Sequence, residues 1–155
     1  MDPIAKRILE AFDELSSDAL DLNTLAERGR SAPEADRDAV RATLMQLVQQ
    51  GLLRPAGRFG HFARTEEGRL AIAGPLDVTL YTRRGCHLCE EAKAQMAPVL
   101  RKFGAKLYEV DVDQDAALRE RYTNDVPVVF LGSRKVAKHR IDLAQLRRQL
   151  ERALR

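Results

Sequence analysis

Hydrophobic positions recur three and four residues apart at the start of the chain, where Ile4, Ile8, Leu9, Phe12 and Leu15 follow Asp2-Pro3. That spacing predicts an amphipathic helix capped by Asp2, with Pro3 in its first turn. A shorter helix is predicted from about Leu22 to Arg28, ended by Gly29. A third begins near Pro33, with Ser31 or Ala32 before it, and carries Val40, Leu44, Leu47 and Val48 on one face up to a stop at Gly51. Leu52 and Leu53 then lead into Ala56-Gly57-Arg58, and Phe59, Phe62 and Ala63 return, which reads as a hairpin. Thr65-Glu66-Glu67 opens a last short helix through Leu70 and Ile72.

At Ala73-Gly74-Pro75 the period changes from helical to alternating, so the chain is cut into residues 1–74 and 75–155. Leu76, Val78 and Leu80 alternate into a strand ending at Tyr81-Thr82, and Leu88, Ala92, Met96, Val99, Leu100 and Phe103 line one face of a helix from His87. Lys106 to Val112 reads as the next strand, completing a strand–helix–strand unit. A short helix from Ala116 to Tyr122 precedes the apolar run Val126 to Leu131, which is typical of a central strand covered on both faces. Gly132-Ser133 turns that run into a second arm, Arg134 to Lys138, and Asp142 caps a final helix with Leu143, Leu146, Leu150 and Leu154 on one face.

The totals narrow the picture. In 155 residues, 45% hydrophobic, there is material for one core or two small ones. Residues 1–75 hold 10 Lys/Arg against 12 Asp/Glu, whereas residues 76–155 hold 16 against 11, so the basic excess is C-terminal. No run approaches the roughly 20 apolar residues that span a bilayer, and no apolar run follows the charges at the N-terminus, which sets the expectation of a cytoplasmic protein with no membrane partner. The only two cysteines are three positions apart, a spacing that suits a redox pair or half a metal site and cannot staple distant segments.

Chemistry concentrates at the first strand-to-helix junction of the second half, Thr82-Arg83-Arg84-Gly85-Cys86-His87-Leu88-Cys89. A thiol at a helix start meets unpaired backbone N–H groups and the positive end of the helix dipole, which favour thiolate over thiol. Cysteines so placed reach pKa values of about 3.5 to 7.5 against roughly 8.5 for the free side chain. Arg83 and Arg84 add positive charge, and His87 adds more when protonated. Three positions on, Cys89 is within reach of a mixed disulfide at Cys86. Pro127 opens a buried strand, so Val126-Pro127 is a candidate cis bond that would face the sulfur and leave the Val126 backbone groups open to a partner chain.

Strand, Cys-x-x-Cys helix, strand, helix, Val-Pro, hairpin and helix together resemble the glutaredoxin-like branch of the thioredoxin superfamily, over nearly all of residues 76–155. The resemblance implies an α/β thioredoxin-like fold, a four-stranded mixed sheet flanked by helices. It also implies that Cys86 is the nucleophile and Cys89 the resolving thiol, with Arg83, Arg84, His87, Val126 and Pro127 around the substrate. It makes a protein or low-molecular-weight disulfide the substrate, with glutathione as the candidate co-substrate and no resident cofactor or metal. Two departures stand out: His87-Leu88 replace the usual Pro-Tyr, and Ala137-Lys138-His139-Arg140 replace the Gly-Gly-acidic segment that holds glutathione.

The first half resembles, over about 70 residues, the winged helix-turn-helix domains common in bacterial regulators: mainly helical, with a hairpin wing. There the third helix enters the major groove and the wing touches phosphate. Here that helix opens with Glu34, Asp36 and Asp38 against Arg37 and Arg41, which repels phosphate. The wing carries Arg54, Arg58, His61 and Arg64. DNA is thus the less favoured partner, and docking or a homodimer through this half the more favoured use. The function read from the chain is a thiol–disulfide oxidoreductase. A redox-sensing DNA-binding regulator is the first alternative, and an iron–sulfur cluster bridged by a dimer the second. Three further features carry plainer readings. Asp111, Asp113 and Asp115 mimic a calcium-loop opening, but Ala116 stands where glycine is needed, so they read as a solvated turn. His139 and Arg140 read as an exposed basic turn before a border of the cleft. Arg147, Arg148, Arg152 and Arg155 suit the negative end of the last helix.

Overall fold

Asp2 accepts the Ile4 N–H at 2.7 Å and starts the first helix, α1 (Pro3–Glu14), which buries Ile4, Ala5, Ile8, Leu9, Ala11 and Phe12. The computed structural model describes residues 1–155, which form two compact units, Met1–Ile72 and Ala73–Arg155. In the first unit α1 is followed by β1 (Leu20–Asp21), α2 (Leu22–Arg30), α3 (Arg37–Gln49), β2 (Leu53–Pro55), β3 (His61–Arg64) and α4 (Glu66–Ala71). The strands form an antiparallel sheet in the order β1-β3-β2, with Leu20 opposite Phe62 and Arg54 opposite Ala63.

Two expectations for this unit are corrected, and one element was missed. Gly29 does not end α2; it lies buried inside it, where an added Cβ would sit 3.0 Å from Val40 Cγ1 and 3.3 Å from Ile4 and Ile8, so the glycine is there for close helix approach. The third helix starts at Arg37, because Asp36 adopts an extended backbone and its carboxylate accepts the Ala39 N–H at 2.7 Å; Pro33 lies in the turn before it. The strand β1 went unread, since two residues carry no period. Gly68 is equally constrained: its Cβ would fall on the Leu52 carbonyl oxygen, so α4 lies directly on the end of the α3–β2 connection.

The second unit runs β4 (Asp77–Thr82), α5 (His87–Phe103), β5 (Lys106–Asp111), a 3-10 turn (Val112–Gln114), α6 (Ala116–Tyr122), β6 (Val128–Leu131), β7 (Arg134–Lys138) and α7 (Leu143–Ala153). Its sheet has the order β5-β4-β6-β7, with β4 parallel to β5 and antiparallel to β6. Alternation along the strands sorts side chains to two faces. Val78, Leu80 and Val129 pack with Met96, Val99 and Leu100 of α5 and Leu146 and Leu150 of α7. On the other face Tyr81 is fully buried between Tyr122, at a ring-centroid distance of 4.9 Å, and Phe130, edge-on at 5.5 Å. Two leucines leave their expected core stripe: Leu88 and Leu154 are exposed, one in the first turn of α5 and the other capping α7. No helix is long and apolar enough to cross a membrane.

Candidate functional site

The C-terminal end of β4 delivers Thr82-Arg83-Arg84-Gly85 to the start of α5, with Gly85 in the left-handed region at φ +77°. Cys86 is the N-cap of α5, extended at φ −87° and ψ 106°, and its Sγ accepts the Cys89 N–H at 3.1 Å. A sulfur thus takes the place that an Asp or Ser oxygen usually takes at a helix start, and it satisfies one of the orphan N–H groups of the first turn, that of Cys89. Cys86 and Cys89 are joined by a disulfide across a Cα–Cα distance of 5.3 Å. The two ends of that bond differ in access: Cys86 is partly exposed, whereas Cys89 is 1% exposed and belongs to the face of α5 that continues through Ala92 and Met96.

His87 and Leu88 both lie at the surface, so the pair between the cysteines forms a solvent-facing rim. Val126-Pro127 is a cis peptide. Val128, the next residue, pairs with Tyr81, which puts Pro127 at the same end of the sheet as the cysteine loop. The Val126 N–H is not open, contrary to the sequence expectation: it donates to the Tyr122 carbonyl at 3.3 Å. The hairpin arm closes on this corner, since the His139 N–H donates to the Pro127 carbonyl at 2.8 Å, with His139 at φ +67°. His139, Arg140 and Ile141 then line a cavity of about 270 Å³ with Leu88, Glu91, Ala92 and Gln95 of α5. His139 Nε2 stands 3.9 Å from the Asp125 carboxylate.

The two arginines before Cys86 part company. Arg84 is exposed. Arg83 is not presented to the cleft as expected: its Nε and Nη2 grip the Asp113 carboxylate at 3.1 and 2.8 Å, and its Nη1 reaches the Thr123 carbonyl at 3.3 Å. That fork raises the Arg83 pKa and lowers the Asp113 pKa, in both cases first through the hydrogen bond between them. The aspartates do lie in a largely solvated turn, and they also organise it. Asp111 accepts the Asp113 N–H at 2.9 Å, Asp113 holds Arg83, and Asp115 caps α6 by accepting the Ala117 N–H at 2.8 Å. Asp113 and Thr123 were missed as members of the site because each is far from Cys86 in sequence and carries no motif. Within the chain no group of three or more His, Cys, Asp or Glu side chains is arranged to hold a metal ion.

Comparison with known proteins places this unit. Residues 77–151 match the model of the Glutaredoxin-like domain (DUF836). A Dictyostelium discoideum protein named glutaredoxin-like protein YDR286C homolog is 30% identical over 86 residues, covering 52% of this chain and 80% of that protein. An uncharacterized Mycobacterium tuberculosis protein is 31% identical over 81 residues, 49% of this chain and 84% of its own length. Among solved structures, a structural-genomics target from X. campestris is 33% identical, covers 48% of this chain and 96% of its own, and has a TM-score of 0.41.

Proposed function

We propose, for a chain that belongs to the glutaredoxin-like family through residues 77–151, that it is a dithiol–disulfide oxidoreductase with Cys86 as nucleophile and Cys89 as resolving thiol. The second unit is a thioredoxin-like α/β domain with a four-stranded mixed sheet and flanking helices, and its cysteine pair sits at disulfide distance. The observation that carries the reading is the asymmetry of that pair: the sulfur held at the helix start is the one solvent reaches, and its partner is buried directly beneath. Attack needs an accessible thiolate, and resolution needs a shielded thiol that meets only the mixed disulfide.

The cycle follows from those positions. The Cys86 thiolate attacks one sulfur of a substrate disulfide, forming a mixed disulfide and releasing the other sulfur as thiolate, which takes a proton from water. Cys89, deprotonated, then attacks Cys86 Sγ; the Cys86–Cys89 bond forms, the substrate's second thiolate leaves, and two electrons have passed from the dithiol to the substrate. An external thiol reductant of the low-molecular-weight or protein class returns the two electrons. Glutathione is one proposed co-substrate, though the cavity beside α5 is bounded by His139 and Arg140 rather than the family's glycine pair. A protein or small disulfide is the proposed substrate, and the cytoplasm, where such pairs act as reductants, the proposed compartment.

For the first unit we propose a winged-helix module used for docking or homodimerisation. The order α1-β1-α2-α3-β2-β3 with its β2–β3 wing supports the fold reading. Its surface supports that use. The outer side of α3 presents Met45 and borders a mostly apolar cavity of about 400 Å³ with Leu22, Leu44, Val48 and Phe62, where Arg41 is the one cation and a phosphate-reading helix would need several. One wing cation is also committed: Arg64 binds Asp13 through both Nη atoms at 2.7 Å. Retention on random duplex DNA at low salt tests this reading, and strong salt-sensitive binding that changes with the redox state would replace it with the regulator alternative. For the enzymatic reading, reduced protein is assayed with hydroxyethyl disulfide and dithiothreitol. Turnover that vanishes in Cys86→Ser supports it, and a disulfide that mild reductants do not open contradicts it.

A further inference from the structure

The loop that presents Cys86 is short and contains a glycine in the left-handed region, so something must fix its direction. The backbone does part of this, with the Cys86 N–H donating to the Arg83 carbonyl at 3.2 Å. The Arg83 side chain does the rest, reaching two other segments. Its Nε and Nη2 take both oxygens of Asp113, in the 3-10 turn after β5. Its Nη1 takes the Thr123 carbonyl at 3.3 Å, and Nη2 lies 3.4 Å from Thr123 Oγ1. Thr123 caps α6 and leads through Asn124 into Asp125-Val126-Pro127, whose Asp125 and Val126 N–H groups bond back to Tyr122 at 3.0 and 3.3 Å.

We propose that Arg83 is a positioning residue for the reaction at Cys86, a clamp that ties the cysteine loop to the segment entering Val126-Pro127, and that its charge is spent within the protein rather than on substrate. The inference rests on the oxidoreductase reading only for its catalytic consequence; the thiolate consequence stands by itself. Only a planar fork can hold a carboxylate with two parallel bonds while a third N–H reaches a carbonyl elsewhere; a lysine ammonium has neither the span nor the geometry. The substrate-facing charge next to Cys86 then falls to Arg84, which is exposed, and the specificity of the cleft is set without Arg83.

Four variants test this: Arg83→Gln, Arg83→Lys, Asp113→Asn, and Arg83→Gln combined with Asp113→Asn. Each is reduced, checked for folding by thermal melting, and titrated through its ultraviolet thiolate absorbance and its rate of alkylation by iodoacetamide at Cys86. The expected result is that all four raise the Cys86 pKa and lower alkylation at neutral pH by about tenfold, with the double variant no worse than the worst single, because one misaligned loop underlies them all. Turnover of hydroxyethyl disulfide falls in kcat by a similar factor while KM stays within about twofold, for this neutral probe and for the anionic dithiobis(nitrobenzoate) alike. Three results overturn the proposal. One is full recovery in Arg83→Lys. Another is opposite pKa shifts in Arg83→Gln and Asp113→Asn, the mark of a bare charge acting on the sulfur. The third is a lowered melting temperature with Cys86 unchanged, the mark of a purely structural tie. Wild-type protein that shows the thiolate pattern but no turnover sinks the oxidoreductase reading and leaves the clamp standing.

Discussion

Each unit spends an arginine fork on an aspartate, and the two forks hold different things. In the first unit Arg64, only 11% exposed, joins β3 to the end of α1 through Asp13 and through the Leu9 carbonyl at 2.9 Å. In the second, Arg83 joins a reactive loop to the 3-10 turn and to the end of α6. The residue types are the same and both pairs are bidentate, end-on through Nη1 and Nη2 at Arg64 and side-on through Nε and Nη2 at Arg83; the difference that matters is the cargo. Losing the first fork loosens the packing of a helix, whereas losing the second misplaces a sulfur. A pair of this kind is therefore judged by what its loop carries, and the charge of the arginine says little about a partner outside the chain.

The contrast is broken or sharpened by substitutions of decreasing effect. Cys86→Ser in the second unit is expected to abolish turnover with little change in melting temperature, while Cys89→Ser accumulates mixed disulfides visible by intact-mass measurement; the reverse assignment of the two products would reverse the roles. Gly68→Ala in the first unit places a methyl on the Leu52 carbonyl oxygen, and backbone cannot yield as a side chain does. A loss of about 3 kcal/mol or more in denaturant unfolding is expected there. Arg64→Ala should cost less, about 1–2 kcal/mol, since Asp13 is largely solvated; Cys86 alkylation should not respond to it.

The smallest effect is in acid. Asp13 is held below its ordinary value of 3.8, first by the hydrogen bond from Arg64, and Asp113 likewise by the hydrogen bond from Arg83. A carboxyl whose folded pKa is depressed contributes stability that is complete above the unfolded value and drains away as pH falls through the folded one. Stability should thus be flat through neutral pH on this account and decline below about pH 4. Asp13→Asn should shallow the decline, read as melting temperature against pH; an unchanged slope would show that the Arg64 fork does not outlast the denatured state's own pairing.

Local chemistry was legible in the sequence, and long-range partnership was not. The Cys-x-x-Cys helix start, the apolar strand, which begins at Val128 and not at Val126, the hairpin arm from Arg134 and the caps at Asp2, Thr65 and Asp142 are written in neighbouring residues, so spacing reveals them. Leu88 was misplaced because a first-turn residue has no preceding turn to shield it; the core face begins at Cys89 instead. Gly29 and Pro33 looked like punctuation, yet one is a packing contact and the other a turn before the true cap at Asp36. Arg64 and Arg83 were read as free cations because their aspartates lie 51 and 30 residues away. No local pattern carries such a pair.

The central claim, that Cys86 is an ionised and accessible sulfur over a buried partner, is tested most directly by alkylating the reduced protein with iodoacetamide across pH and locating the label by mass spectrometry. The account expects labelling of Cys86 along a titration clearly below the free-thiol value of about 8.5, with Cys89 protected until the protein is unfolded. Equal labelling of both cysteines, or labelling of Cys86 only along the ordinary thiol titration, would contradict it.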